Sequence, residues 1–329
     1  PGQPEHPQVK AGDNPPGYVN VKREKRFEPL ESHARSIVTM GRRLMICMAL
    51  VGLLAGFQLS AQQDPAANAE KPAARAYRVK LEEWKTMLRT LQKLRADFLQ
   101  ASPEEVTTIR KQWVETMTLG DRLLPELRET AKLAFVESPN EDRQLGRFLM
   151  KLIEDATGQD RYEIVADLSE TMIEHGSDHR ILYDYAGIAG FAMDDFQKAE
   201  KYFGKAQQLN TLSQMGMNYQ GDTEAYIKYW EEEQEIRKQE AAADDLPRVK
   251  LTTSRGEIIL ELFENEAPET VGNFISLVEN GFYEDNIFHR VLSNFMAQAG
   301  SANGDGSGGP GYEIYSECSK LDFRKHFRG

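Results

Sequence analysis

Tyr77, Leu81, Trp84, Leu88, Leu91 and Phe98 recur at three-, four- and seven-residue intervals with charged residues between them, the mark of a helix with one apolar face. Ser102-Pro103-Glu104-Glu105 supplies a capping box with proline at the first helical position. It opens a second helix lined by Val106, Ile109, Trp113 and Met117. Further helical patterns cover residues 123–135 and 145–153, so residues 77–240 read as almost wholly α-helical. After Pro247 the period shortens to that of a strand. Residues 248–254 and 257–263 alternate apolar or β-branched with polar side chains, and Ser254-Arg255-Gly256 supplies the turn of a hairpin. A helix then begins at Ala267-Pro268-Glu269-Thr270, faces inward with Val271, Phe274, Ile275 and Val278, and stops at Asn280-Gly281. Two short strands, 287–292 and 295–300, follow. The pattern predicts a multidomain α + β chain: a helical region over 77–240, a linker over 241–247, and from 248 a β-dominated domain with a helix across one opening.

The front of the chain carries neither period. Residues 1–39 start at Pro1 rather than Met and hold six of the fourteen prolines, a composition that cannot offset the entropy of ordering. This stretch is expected to be disordered, or to be a leader mis-joined upstream of a true start at Met40. Met40-Gly41-Arg42-Arg43, the apolar run 44–57 and the small pair Ser60-Ala61 make the three zones of a secretory signal peptide over 40–61. Ala69 is a second candidate cleavage site. The run is short against the roughly 20 residues of a spanning helix, and it is apolar all round, unlike a core helix. Residues 62–76 read as a tether. The expected location is therefore periplasmic or extracellular, with membrane contact only if the signal stays uncleaved and 44–57 acts as an anchor.

Charge and cysteines narrow the functions. A formal charge of −12, from 52 acidic and 40 basic residues, argues against nucleic acid as a partner. Two cysteines, Cys47 and Cys318, give no disulfide framework and no cysteine zinc site. His175 and His179 have the spacing of a helical metal pair, but Gly176 and Ser177 interrupt the helix between them, so no metal is expected.

Tyr162 and Val165 stand 34 residues before Phe196 and Ala199, and the second copy continues through Phe203 and Ala206. Tyr183, Ala186 and Gly187 lie upstream of it, where small residues let helices approach closely. Over residues 145–210 this period and residue pattern resemble the tetratricopeptide repeat. Such repeats bury their faces only by stacking, which makes concave surfaces for a protein partner.

Four blocks near the end carry the chemistry: Ala267-Pro268-Glu269-Thr270-Val271-Gly272-Asn273-Phe274, Phe288-His289-Arg290-Val291, Asn294-Phe295-Met296-Ala297-Gln298-Ala299-Gly300, and Gly306-Ser307-Gly308-Gly309-Pro310-Gly311-Tyr312. In order and spacing they resemble the cyclophilin-type peptidyl-prolyl cis-trans isomerases, with Ala299 where the family usually has glycine and Ser301 where an acidic residue is common. The resemblance implies a closed β-barrel, proline-containing polypeptides as substrates, and no cofactor. It also implies that Arg290 is catalytic and that Phe295, Met296 and Gln298 bind substrate. His289 is assigned a structural role, since isomerisation transfers no proton. Gly304, Gly306 and Gly309 match a dinucleotide fingerprint, but Pro310 follows where a helix would open.

A cyclophilin continues for about as many residues again beyond the match, so the sequence is expected to hold the first half of the barrel and, by itself, to be inactive. Two readings follow. One is an exported isomerase whose helical region binds clients or partners. The other is a tetratricopeptide-like interaction module joined to a non-catalytic peptide binder.

Overall fold

The computed structural model describes residues 18–21, 71–292, 296–318 and 324–327. The expected signal peptide, 40–61, lies outside the described residues. The described chain forms two compact units: a helical one ending at Ile227, and a sheet unit comprising Tyr18–Val21 and residues from Lys228 to Phe327.

In the helical unit, α1 (Pro72–Gln100) and α2 (Pro103–Glu137) form a long hairpin. Helix α1 starts inside the stretch expected to be a tether, because Pro72 fits the first turn and Ala73 and Ala74 favour helix. Its stripe is buried through Tyr77, Leu81, Trp84, Leu88 and Leu91, with Met87 and Leu94 added, whereas Phe98 is exposed. At the start of α2 the Glu105 carboxylate accepts both the backbone N–H and the hydroxyl of Ser102 at 2.8 Å, and these bonds hold its pKa below the ordinary glutamate value. The two helical patterns read over 103–117 and 123–135 are one helix, which runs through Pro125.

Four helices follow: α3 (Arg143–Thr157), α4 (Tyr162–Glu174), α5 (Leu182–Ala192) and α6 (Phe196–Gln208). Both α4 and α6 are 13 residues long, and they start 34 residues apart, so the sequence period is a period of structure. Gly187 on α5 faces Phe203 on α6; a Cβ there would lie 2.5 Å from the ring. Phe203, Ala199 and Ala206 are fully buried. Helix α7 (Gln214–Ala243) gives its first part to this unit, where Tyr219 stacks on Phe191 at 4.6 Å.

In the sheet unit, β2 (Arg248–Thr253) and β3 (Gly256–Glu261) pair antiparallel, with Val249 opposite Leu260 and Leu251 opposite Ile258. Gly256 closes the turn at a φ of +132°, which favours glycine. Strand β1 (Tyr18–Val21) lies parallel to β2, with Tyr18 opposite Arg248. These four residues fall within the leader expected to be disordered, but Tyr-Val-Asn-Val is strand-forming. Helix α8 (Pro268–Glu279) buries Val271, Leu277 and Val278. Strands β4 (Arg290–Leu292) and β5 (Met296–Gln298) form a separate pair, each shorter than the pattern predicted. Among the described residues the barrel is not closed.

Candidate functional site

The β4–β5 register determines which side chains meet. Arg290 lies opposite Gln298, Val291 opposite Ala297, and Leu292 opposite Met296. Directly opposed residues of an antiparallel pair project from the same face, and alternate positions share it. Arg290, Leu292, Met296 and Gln298 therefore occupy one face, and Val291 and Ala297 the other. The sequence-predicted Arg290, Met296 and Gln298 are thus brought together; Phe295 lies outside the described residues. Arg290 and Gln298 are exposed and Met296 is half-buried. Among the described residues the Arg290 guanidinium has no hydrogen bond or ion pair, so all of its donors remain available.

A glycine-rich loop follows this pair and is tied down by Ser301 and Asn286, neither of them among the predicted site residues. Ser301, 6% exposed, donates its hydroxyl to the Ser307 carbonyl at 2.7 Å and accepts the Gly306 N–H at 3.0 Å. The serine that departs from the family pattern thus orders the loop. Asn286 clamps the start of the same loop, donating to the Ser301 carbonyl at 2.8 Å and accepting the Gly300 N–H at 2.9 Å. His289 is half-buried, and among the described residues neither ring nitrogen has a hydrogen-bond partner. Gly306, at a φ of +99°, lies close to it: an added Cβ would come within 3.5 Å of its Nε2. Asp305 is held below the ordinary aspartate pKa, chiefly by the Ser307 hydroxyl.

The helix that borders this region is capped from a distance. Glu317 accepts the N–H groups of Glu269 and Thr270 at 3.3 and 2.8 Å and the Thr270 hydroxyl at 2.7 Å. The sequence carried one signal of this: α8 has Ala267 at its N-cap, a side chain with no acceptor, so an acceptor had to come from elsewhere. A cavity of about 420 Å³, lined by Leu251, Leu260, Phe274, Tyr283, Phe288 and Ala299 among others, opens between the hairpin and α8. Burial raises the pKa of Tyr283 on its wall.

Residues 248–328 match the family model for cyclophilin type peptidyl-prolyl cis-trans isomerases. The chain is 51% identical over 69 residues to a peptidyl-prolyl cis-trans isomerase of Synechococcus elongatus, covering 21% of this chain and 48% of that protein. It is 43% identical over 95 residues to the enzyme of that name from Helicobacter pylori, covering 29% and 56%. With peptidyl-prolyl cis-trans isomerase A of Mycobacterium tuberculosis the identity is 40% over 93 residues, covering 23% and 51%. The chain therefore spans about half the length of the curated relatives it matches. No solved structure matches it. The family match and these relatives together place a cyclophilin-type peptidyl-prolyl cis-trans isomerase domain at residues 248–328.

Proposed function

We propose that the chain is an exported peptidyl-prolyl cis-trans isomerase, with the domain at 248–328 accelerating rotation about X-Pro bonds and the helical region holding clients or a protein partner. The observation that carries the proposal is the β4–β5 register, which gathers Arg290, Gln298 and Met296 on one face, with the guanidinium unengaged among the described residues. Rotation of the amide crosses a barrier of about 18–20 kcal/mol because resonance is lost. In the twisted state the proline nitrogen regains a lone pair and the carbonyl loses conjugation. A guanidinium donates to either without giving up its proton. Each tenfold in rate asks for about 1.4 kcal/mol of preference for the twisted state. Gln298 holds the peptide backbone, and Met296 with Phe295 cradles the proline ring. The reaction moves no atom or electron between molecules, and the proposal includes no cofactor or metal.

Export rests on the Met40–Phe57 pattern, and partner binding on the paired helices with their 34-residue period. A second reading, a non-catalytic peptide binder beside a tetratricopeptide-like module, draws on the open strand faces: Ile259 is 55% exposed and Val291 63%. Among the described residues no closed barrel surrounds this face, so the turnover expected of the 329-residue chain is small. The test is an X-Pro peptide isomerisation assay of the chain beside Arg290→Ala. Weak acceleration that drops at least tenfold in Arg290→Ala, with peptide binding retained, supports the catalytic reading. Acceleration untouched by the substitution removes Arg290 from the mechanism. Peptide binding with no acceleration in either protein favours the second reading.

A further inference from the structure

A second arginine of the sheet unit, unlike Arg290, is engaged at every nitrogen. The Arg324 guanidinium meets two carboxylates of α7 at once. Its Nε and Nη2 donate to Glu233 at 2.8 and 2.9 Å, and its Nη1 and Nη2 donate to Glu240 at 2.7 and 3.0 Å. The plane of the guanidinium lies over the Phe263 ring, 3.8 Å from its centre. Arg324 and Glu233 side chains are only 7% and 4% exposed. Around them, Phe327 packs on Trp230 at 4.9 Å, Lys325 lies over Tyr229 at 5.0 Å, and Arg237 adds a 2.5 Å bond to Glu233.

We infer that Arg324 is a clasp that makes the second half of α7, from Lys228 to Ala243, an integral part of the isomerase-type domain rather than a lead-in to it. The family match begins at residue 248, so the clasp joins a residue inside the match to a helix outside it. A bidentate fork on each of two carboxylates is a geometry lysine cannot reproduce. Burial shields the cluster from salt. Removal of the arginine leaves Glu233 and Glu240 without the cation between them, which is the costly way to break a buried ion cluster. The order of α7 and the order of residues 324–327 are thereby linked, and linkage of this kind is reciprocal. The helix that closes the helical unit through Tyr219 also depends, at its other end, on a residue of the catalytic-type domain.

Hydrogen exchange on the full chain tests this. In Arg324→Gln, amides of 228–243 are expected to exchange at least tenfold faster, with α4 and α6 unchanged. Glu233→Gln is expected to raise exchange in 324–327, and the milder Arg324→Lys to give a smaller rise in 228–243. Arg255→Gln, in the β2–β3 turn, is the control and is expected to change neither segment. Unchanged protection of 228–243 in both Arg324 variants would overturn the inference, as would equal acceleration throughout the chain in both, since the clasp would then have no local partner. The readout is independent of isomerase activity, so it stands or falls apart from the proposed function.

Discussion

The helical and sheet units treat apolar side chains in opposite ways. In the helical unit Leu127, Leu149, Ile153, Leu168 and Phe203 are all fully buried, because each helix covers the stripe of the next in sequence. In the sheet unit Ile258, Ile259, Val291 and Leu292 lie open, because a strand face is covered only by elements brought from a distance. Short-period helical sequence closes its core locally; a β-domain depends on partners far along the chain. The sharpest way to break this contrast is to cut the same kind of side chain in both units. Phe203→Ala is expected to destabilise the helical unit by about 3–5 kcal/mol. Ile259→Ala should stay within about 0.5 kcal/mol. Denaturant unfolding followed through Trp84 and Trp113 for the helical unit, and Trp230 for the sheet unit, separates the two. A large loss for Ile259→Ala would mean that the face is covered in solution.

Gly187→Ala probes the same core by filling it. The added methyl would press on the Phe203 ring, which is itself fully enclosed, and the expected loss is about 1–3 kcal/mol. Gly204→Ala on the same helix pair, where a Cβ meets nothing within 4 Å, should be neutral or slightly stabilising. Equal effects at the two glycines would remove the close α5–α6 approach as the reason for Gly187.

What could be read from sequence divides along the same line. The stripe from Tyr77 to Leu91, the Ser102 capping box and the spacing of Tyr162 and Phe196 are local patterns, and each corresponds to a described element. Arg290, Met296 and Gln298 were named through the resemblance of the motif blocks alone, and the strand register that sets them on one face was not part of that reading. The roles of Ser301, Asn286 and Arg324 were not legible, and that of Glu317 left only the missing acceptor at Ala267 as a sign, since each depends on a conformation that only folding creates. Glu317 reaches across 47 and 48 residues to cap α8, and Arg324 reaches across 84 and 91 to α7. Composition carries no trace of either pairing. Glu317→Ala is accordingly expected to cost the sheet unit about 0.5–2 kcal/mol, the range for a lost N-cap, and to speed amide exchange at Glu269 and Thr270. Unchanged exchange there would assign the capping to water.

The two ends of α7 give the finest test, because acid acts on them with opposite sign. At its start, Asp184 is buried against Gly216, where no side chain fits. Burial raises its pKa, and among the described residues neither carboxylate oxygen has a hydrogen-bond partner. A carboxyl whose folded pKa lies above its unfolded value gives its full stability below the ordinary aspartate range and loses it as pH rises through the folded pKa. Near the other end, burial also pushes the Glu233 pKa upward, but the hydrogen bonds from Arg324 and Arg237 outweigh it and the net shift is down. Its contribution is present above the ordinary glutamate range and is lost as pH falls through the folded pKa. Asp184→Asn should therefore match the wild type in acid and become the more stable protein toward neutral pH. Glu233→Gln should be the less stable at neutral pH and converge on the wild type in acid. Unfolding measured from pH 3 to 7 reads both slopes, with amide exchange of α5 and of residues 228–243 assigning each to its end. Slopes of the same sign would mean that one of the two carboxyls is not held as described, and the exchange data would identify which.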